Sequence, residues 1–249
     1  MSSQPNTRPR PASNGMQAVI LAAGRGTRMG ELTEKKPKPL LEVSGKTLLE
    51  HKFDAFPDDV SEIIIVVGYL GDMIRKRFGG EYKGRKITYV EQGPLHGTAG
   101  ALWSAKSALK DRFVVMMGDD LYSSADILHA IDFPGWALLI DELEHIRWGG
   151  CIMVGEDGRI TDIEEGNHSG KSGFISANLF VLDTRIFEHE MVPKAPDSTE
   201  FGLPQTALLA SRKSGIPFDA VKATFWIQIT DPEDLKKARE TLEKIRSKL

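Results

Sequence analysis

The chain has 249 residues, 41% hydrophobic and 27% charged, which is enough apolar material for one substantial core. Its formal net charge of -3 lacks the basic excess of a dedicated nucleic-acid binder, and no apolar run reaches the ~18–20 residues that a membrane span requires. The lone cysteine, Cys151, excludes an intrachain disulfide and a thiolate metal cluster, and its default state is a buried, inert thiol.

Residues 1–15, MSSQPNTRPRPASNG, are rich in Pro, Ser, Asn and Arg and lack the apolar stretch of a secretory signal. They read as a flexible tail, and a cytoplasmic location follows by default. Ordered structure is expected from Met16, where MQAVILA is a continuous apolar run suited to a strand covered on both faces. A glycine-rich loop follows, then a helical pattern from about Thr47 to Phe56. EIIIVVGY (62–69) is a second buried strand, with a helix after it up to Phe78. KITYVEQ (86–92) is a third strand, Thr98 to Leu109 has helical spacing, and RFVVMMGDD (112–120) is a fourth strand ending in two acids. This alternation predicts an α/β, Rossmann-like fold of three layers around a central mixed, mainly parallel sheet.

The second half is less regular. GCIMVGEDGRITDIEE predicts a hairpin turning at Asp157-Gly158, and FISANLFVLD (174–183) and FDAVKATFWIQI (218–229) predict two further strands. The closing helix has Asp231 as N-cap and Pro232 in its first turn, with an apolar stripe of Leu235, Ala238, Leu242, Ile245 and Leu249. There is no internal repeat, and residues 16–249 are expected to form one domain.

The loop after the first strand, Gly24-Arg25-Gly26-Thr27-Arg28-Met29-Gly30, is not a dinucleotide fingerprint, because its third glycine falls one place late and no helix is expected there. Pro37 and Pro39 should keep the chain extended to about Leu40. Gly45-Lys46-Thr47 resembles the end of a P-loop, but the first glycine of that motif would fall on Leu40. What remains is a loop whose two glycines let the backbone approach phosphates, with two guanidiniums to grip phosphate oxygens. The alternative is a tight turn with two solvated arginines.

LAAGRGTRM (21–29) followed by KPKPLLEV (36–43) resembles the signature of the sugar-phosphate nucleotidylyltransferases, which include glucose-1-phosphate thymidylyltransferases and uridylyltransferases. The resemblance implies a nucleotidyltransferase fold in which Arg28 and Lys38, ten positions apart, clamp the triphosphate and the reacting phosphates. Leu21, Ala23, Gly24, Arg25, Gly26 and Thr27 take the nucleotide-binding places. Gln92-Gly93-Pro94-Leu95-His96-Gly97-Thr98 resembles the nucleobase segment, with Gln92, Gly97 and Thr98 as its contacts, Thr98 doubling as a helix cap, and His96 a loop residue without a catalytic role. Gly118-Asp119-Asp120 resembles the magnesium aspartate motif. Strand alternation lets one of the two acids reach the ion, and the match selects Asp119.

Trp148-Gly149-Gly150 and Ile163-Glu164-Glu165 resemble the sugar-binding segments, with Gly149 and Glu165 in the matching places. Two positions depart from the family pattern. Gly166 stands where a lysine usually holds the sugar phosphate, leaving Lys171 to reach back, and Gln228 stands where a second metal-binding aspartate is usual. The implied reaction joins an NTP, UTP or dTTP favoured, to a sugar 1-phosphate such as glucose 1-phosphate, with Mg²⁺ as cofactor. No nucleic-acid or membrane partner is implied, and a homo-oligomer is left open. Two alternatives stand beside it: a catalytically silent nucleotide-sugar sensor or regulatory subunit on the same fold, and a cytidylyltransferase for an alcohol phosphate such as phosphocholine or inositol phosphate.

Overall fold

The computed structural model describes residues 15–93 and 97–247; the expected tail to residue 14, His96 and the last stripe position, Leu249, lie outside these described residues. In chain order the elements are β1 (Met16–Ala22), β2 (Glu42–Val43), β3 (Lys46–Thr47), α1 (Leu48–Ala55), β4 (Val60–Val67), α2 (Gly71–Phe78), β5 (Glu81–Tyr82) and β6 (Arg85–Glu91). There follow α3 (Gly97–Ser104), β7 (Arg112–Met117), β8 (Leu121–Tyr122), α4 (Ser124–Asp132), β9 (Trp136–Val154) and β10 (Ile160–Asp183). The chain closes with α5 (Leu203–Ser214), β11 (Phe218–Lys222), β12 (Trp226–Ile227) and α6 (Pro232–Arg246).

Eight strands form one mixed sheet in the order β11-β9-β10-β7-β1-β4-β6-β5. β7, β1, β4 and β6 run parallel, as does β11 beside β9, while β10 lies antiparallel to both β7 and β9. Residues alternate across β1: Ala18, Ile20 and Ala22 face one core with Leu49, Phe53 and Phe78, and Val19 and Leu21 face the other with Leu102 and Leu203. Helices α1, α2 and α4 therefore cover one face and α3 and α5 the other, which is the expected three-layer α/β fold. Each fully buried Phe or Leu in these layers contributes about 1.5–3 kcal/mol of apolar burial.

The helix ends follow from local chemistry. Thr47 caps α1 in a reciprocal box, accepting from the Glu50 N–H at 3.1 Å while the Glu50 carboxylate accepts from the Thr47 N–H at 2.8 Å. Asp231 caps α6 as expected, accepting from the Glu233 and Asp234 N–H groups. In the stripe of α6, Leu235 and Ala238 are buried against Met29, Leu48 and Leu121, whereas Ile245 is exposed.

Several expectations are corrected. Residues 218–229 do not form one strand: β11 joins the large sheet, and β12 pairs only with β8 in a separate two-stranded ribbon. The glycine loop does open helical turns, of 3₁₀ type over Thr27–Thr33 and broken at Gly30 (φ 58°, ψ -135°). The proline segment turns too, in a 3₁₀ turn over Lys38–Leu40. α3 stops at Ser104, with a 3₁₀ turn Lys106–Ala108 after it. Helices α4 and α5 and the first half of β9 were not anticipated. Cys151 is half-buried rather than buried, and burial pushes its thiol pKa up.

Candidate active site

β1 and β7 end side by side, and their exits shape one wall of an open cleft of about 1260 Å³. Tyr69 N–H donates to the Ala23 carbonyl at 3.1 Å and Gly118 N–H to the Leu21 carbonyl at 2.9 Å, so the glycine loop leaves the sheet pinned on both sides. Gly26 adopts φ 65° and packs on Lys38, where an added β-carbon would come within 3.1 Å of the Lys38 Cβ. Only glycine fits that position without strain. Arg25 and Arg28 are exposed at the cleft, Arg25 with its guanidinium 5.0 Å from the Tyr69 ring centroid.

Lys38 is 6% exposed, yet its Nζ lines the cleft, donating to Asp119 Oδ2 at 2.6 Å and to the Ile229 carbonyl oxygen. Asp119 is half-buried and opens onto the cleft. Its neighbour Asp120 turns inward, 3% exposed, although β7 ends at Met117 and both acids sit in the turn before β8, not in the strand expected to run to residue 120. Inside, Lys52 is 1% exposed and donates to the Asp120 carbonyl oxygen, and the Tyr122 hydroxyl donates to the Ala177 carbonyl at 2.9 Å. Burial pulls the Lys52 pKa down, opposed by the charges of Asp120 and Asp119; burial and the Asp119 charge push the Asp120 pKa up. The Trp226 indole N–H is near enough to Asp120 to act against that rise, though outside hydrogen-bond geometry.

Gln228 follows β12 directly and is exposed on the same cleft as Asp119. These two side chains offer hard oxygen donors. No group of three or more His, Cys, Asp and Glu suited to a metal occurs among the described residues. Such a donor set fits magnesium, which keeps water and phosphate oxygens among its ligands, and not an ion caged by protein alone.

At the other end, Gln92 extends β6, its N–H donating to the Val67 carbonyl at 2.8 Å. Gly97 (φ 73°) is held by packing: an added β-carbon would sit 2.4 Å from the Phe201 carbonyl oxygen. Thr98 sits in the first turn of α3, and its hydroxyl accepts from the Leu203 N–H at 2.9 Å, serving the first amide of α5. In the β9–β10 hairpin, Gly166 pairs with Gly149 and Glu165 with Gly150, placing the Glu165 carboxylate over Gly150, where an added β-carbon would come within 2.9 Å of Oε2.

All of the expected site residues line this cleft except Lys171, which is exposed elsewhere on β10. The cation beside Glu165 is Lys194, from the segment before α5, with Nζ 3.1 Å from Glu165 Oε1. Sequence reasoning missed Lys194, which approaches Glu165 only through tertiary folding, and Lys52, which occupies the buried stripe of α1 beside Leu48, Leu49 and Phe53. It also missed Asn178, which lines the cleft at φ 58° in an irregular stretch of β10. Asparagine tolerates that left-handed conformation better than most residues.

A mainly parallel sheet with a glycine-arginine loop at its strand ends, a buried lysine paired to an aspartate and a long cleft define an α/β protein built to handle phosphorylated ligands. The model of the nucleotidyl transferase family matches residues 17–244, and the chain belongs to that family. It is 32% identical over 237 residues to the UTP–glucose-1-phosphate uridylyltransferase AglF of Haloferax volcanii, covering 92% of this chain and 97% of that one. The bifunctional protein GlmU of Methanococcus maripaludis is 30% identical over 240 residues, and the match spans 94% of this chain but 56% of GlmU. Among solved structures, a Bacillus anthracis protein assigned provisionally as a glucose-1-phosphate thymidylyltransferase, in complex with sucrose, superposes with a TM-score of 0.77 at 22% identity, over 91% of this chain and 95% of that one. HddC from Yersinia pseudotuberculosis gives 0.70 at 24% identity, over 91% and 99%. The protein is thus a nucleotidyltransferase of the sugar-phosphate type, and among its described residues no helix is long and apolar enough to cross a membrane.

Proposed function

We propose that residues 16–249 form one catalytic domain that transfers a nucleotidyl group from UTP or dTTP to a hexose 1-phosphate, glucose 1-phosphate foremost, releasing pyrophosphate. The observation that carries this reading is the Lys38–Asp119 pair at 2.6 Å, set between the glycine loop and the Glu165 end of one cleft. A buried ammonium there serves the crowding of two phosphates. The similarity to a UTP–glucose-1-phosphate uridylyltransferase supports the choice of substrates. Nucleotides and sugar phosphates are metabolites of the cytoplasm, where the reading places the protein.

The acceptor phosphate oxygen attacks the α-phosphorus, and the bond to the pyrophosphate oxygen breaks on the opposite side, so no protein nucleophile is required. The amide groups of the Gly24–Thr27 loop and the Arg28 guanidinium hold the leaving pyrophosphate. Lys38, released from Asp119 by the incoming phosphates, sits between them and offsets their repulsion. Asp119 and Gln228 would hold a magnesium ion, which when bound supplies charge neutralisation at the α-phosphate. Gln92 addresses the pyrimidine edge with an amide donor and acceptor, Gly97 and Thr98 flanking it. Glu165 accepts from sugar hydroxyls beside Gly149. Lys194, in place of Lys171, pairs with the sugar phosphate and supplies the cation that Gly166 withholds.

Incubation with each of the common NTPs and a panel of sugar 1-phosphates and alcohol phosphates, with the product identified by mass, tests the reading. UDP- or dTDP-hexose is the expected product. A product formed only from CTP and an alcohol phosphate would replace the acceptor, and binding across the panel without product would leave a sensor. The neutral Gln228 is the feature that favours that second reading.

A further inference from the structure

Behind the cleft wall, which Asp120 also lines, lies a buried polar cluster that the reaction above does not use. Lys52 on α1 donates to the Asp120 carbonyl oxygen, faces the Asp120 carboxylate and lies 5.7 Å from the Tyr122 ring centroid. Tyr122 reaches Ala177 on β10 through its hydroxyl and pairs with Trp226 across the β8–β12 ribbon, which runs directly into Gln228. One buried ammonium therefore stands where four pieces meet: α1, the turn bearing Asp119, β10, and the strand leading to Gln228. A buried ammonium near a buried carboxyl group is a poor device for stability alone, since apolar residues of similar volume serve as well or better. Its retention next to the reacting groups calls for another role.

We propose that Lys52 is a positioning residue for the phosphate-transfer centre: clamping the Asp120 main chain from inside, it fixes the step at which Asp119 faces the cleft while Asp120 faces the core. The proposal rests on the nucleotidyl-transfer reading of the same cleft. Without the clamp the turn after β7 keeps its bond from Gly118 N–H to the Leu21 carbonyl but loses its hold from α1, and Asp119 loses its fixed placement against Lys38. Outer-layer partners of this kind govern the ligands they hold as strongly as direct contacts do.

The test compares the full-length protein with Lys52→Met and Lys52→Met/Asp120→Asn. It follows thermal unfolding, Mn²⁺ binding in the presence of UTP by electron paramagnetic resonance, and steady-state kinetics. Lys52→Met is expected to lower kcat and weaken Mn²⁺ binding, each by about 10- to 100-fold, with the KM for UTP changed less than about threefold. It should also unfold earlier, because the buried Asp120 loses its nearby positive charge and keeps only the Tyr122 hydroxyl at 3.4 Å. In the double variant the thermal midpoint should recover while kcat and Mn²⁺ binding stay low. Recovery of all three together would overturn the proposal, since Lys52 would then merely neutralise Asp120. Wild-type kinetics in Lys52→Met would overturn it as well. If Lys52→Met does not fold, the double variant decides by the same criteria. Weakened Mn²⁺–UTP binding in a protein that shows no turnover would keep the positioning role and remove the enzymatic reading, so the two can fail separately.

Discussion

Lys38 illustrates how the chemistry condenses onto single side chains. Its ammonium is withheld from water and pinned by Asp119 and the Ile229 carbonyl, and on the proposed reading its charge acts where phosphates converge and little elsewhere. Lys38→Ala should lower kcat by about 10²–10³, or on the order of 2.7–4 kcal/mol, while nucleotide affinity measured by calorimetry changes far less. Equal losses in both would mean that Lys38 only anchors the ground state. On the same reading Lys194 acts on the acceptor: Lys194→Ala should raise the KM for the sugar 1-phosphate about five- to tenfold, at unchanged KM for the nucleotide, in initial-rate kinetics. A rise in the nucleotide KM alone would move Lys194 to the other substrate. Gln228→Asp adds a carboxylate on the Asp119 side of the cleft and should lower the magnesium concentration for half-maximal rate by about tenfold, allowing for screening at an exposed position. An unchanged magnesium titration would show that Gln228 does not face the ion.

At the scale of elements, the charges on α1 give a measurable pH signature. Asp54, near the end of α1, accepts from Lys46 at 2.6 Å, Lys83 at 2.6 Å and the Tyr82 hydroxyl at 3.1 Å, tying the helix to the β5–β6 hairpin. Burial alone would raise its pKa, but the hydrogen bonds from Lys46, Lys83 and Tyr82 bring it down to about 2. A depressed carboxylate pKa stabilises the fold above the unfolded value of about 4, and that stability is lost as pH falls towards 2. Asp54→Asn should therefore unfold more easily at neutral pH by about 1–2 kcal/mol, a value reduced for solvent screening, and the gap to wild type should close towards pH 2 in urea titrations. A gap that persists at pH 2 would trace the loss to packing.

The same scale shows what local sequence can and cannot say. β1, β4, β6, β7, α1 and α6 were legible because continuous apolar runs and capping residues are local signals. α4 and α5 carried such signals too: Ser123 accepts from the Asp126 N–H, and α5 runs from Gly202 and Pro204 to a left-handed Gly215. Short, mixed apolar spacing hid both. The break between β11 and β12 was not legible, since Phe225-Trp226-Ile227 reads as strand wherever it pairs. Its pairing with β8 is set by tertiary packing against Tyr122.

For the whole molecule, the three-layer fold and the motifs that gather at the cleft were both legible, because each rests on a short, local pattern of residues. Arg28, Lys38, Asp119, Gln92, Glu165 and Gln228 come from distant parts of the sequence and line one cleft. The partners made by long-range folding were not legible: Lys194 at Glu165, Lys52 beneath Asp120, and the Phe201 backbone that explains Gly97. What the cleft joins is the central claim, and pyrophosphate release tests it directly. With Mg²⁺ present, purified protein should release pyrophosphate when UTP and glucose 1-phosphate are supplied together, and none with either alone. Binding of both without release would contradict the account, and so would pyrophosphate formed from the nucleotide alone.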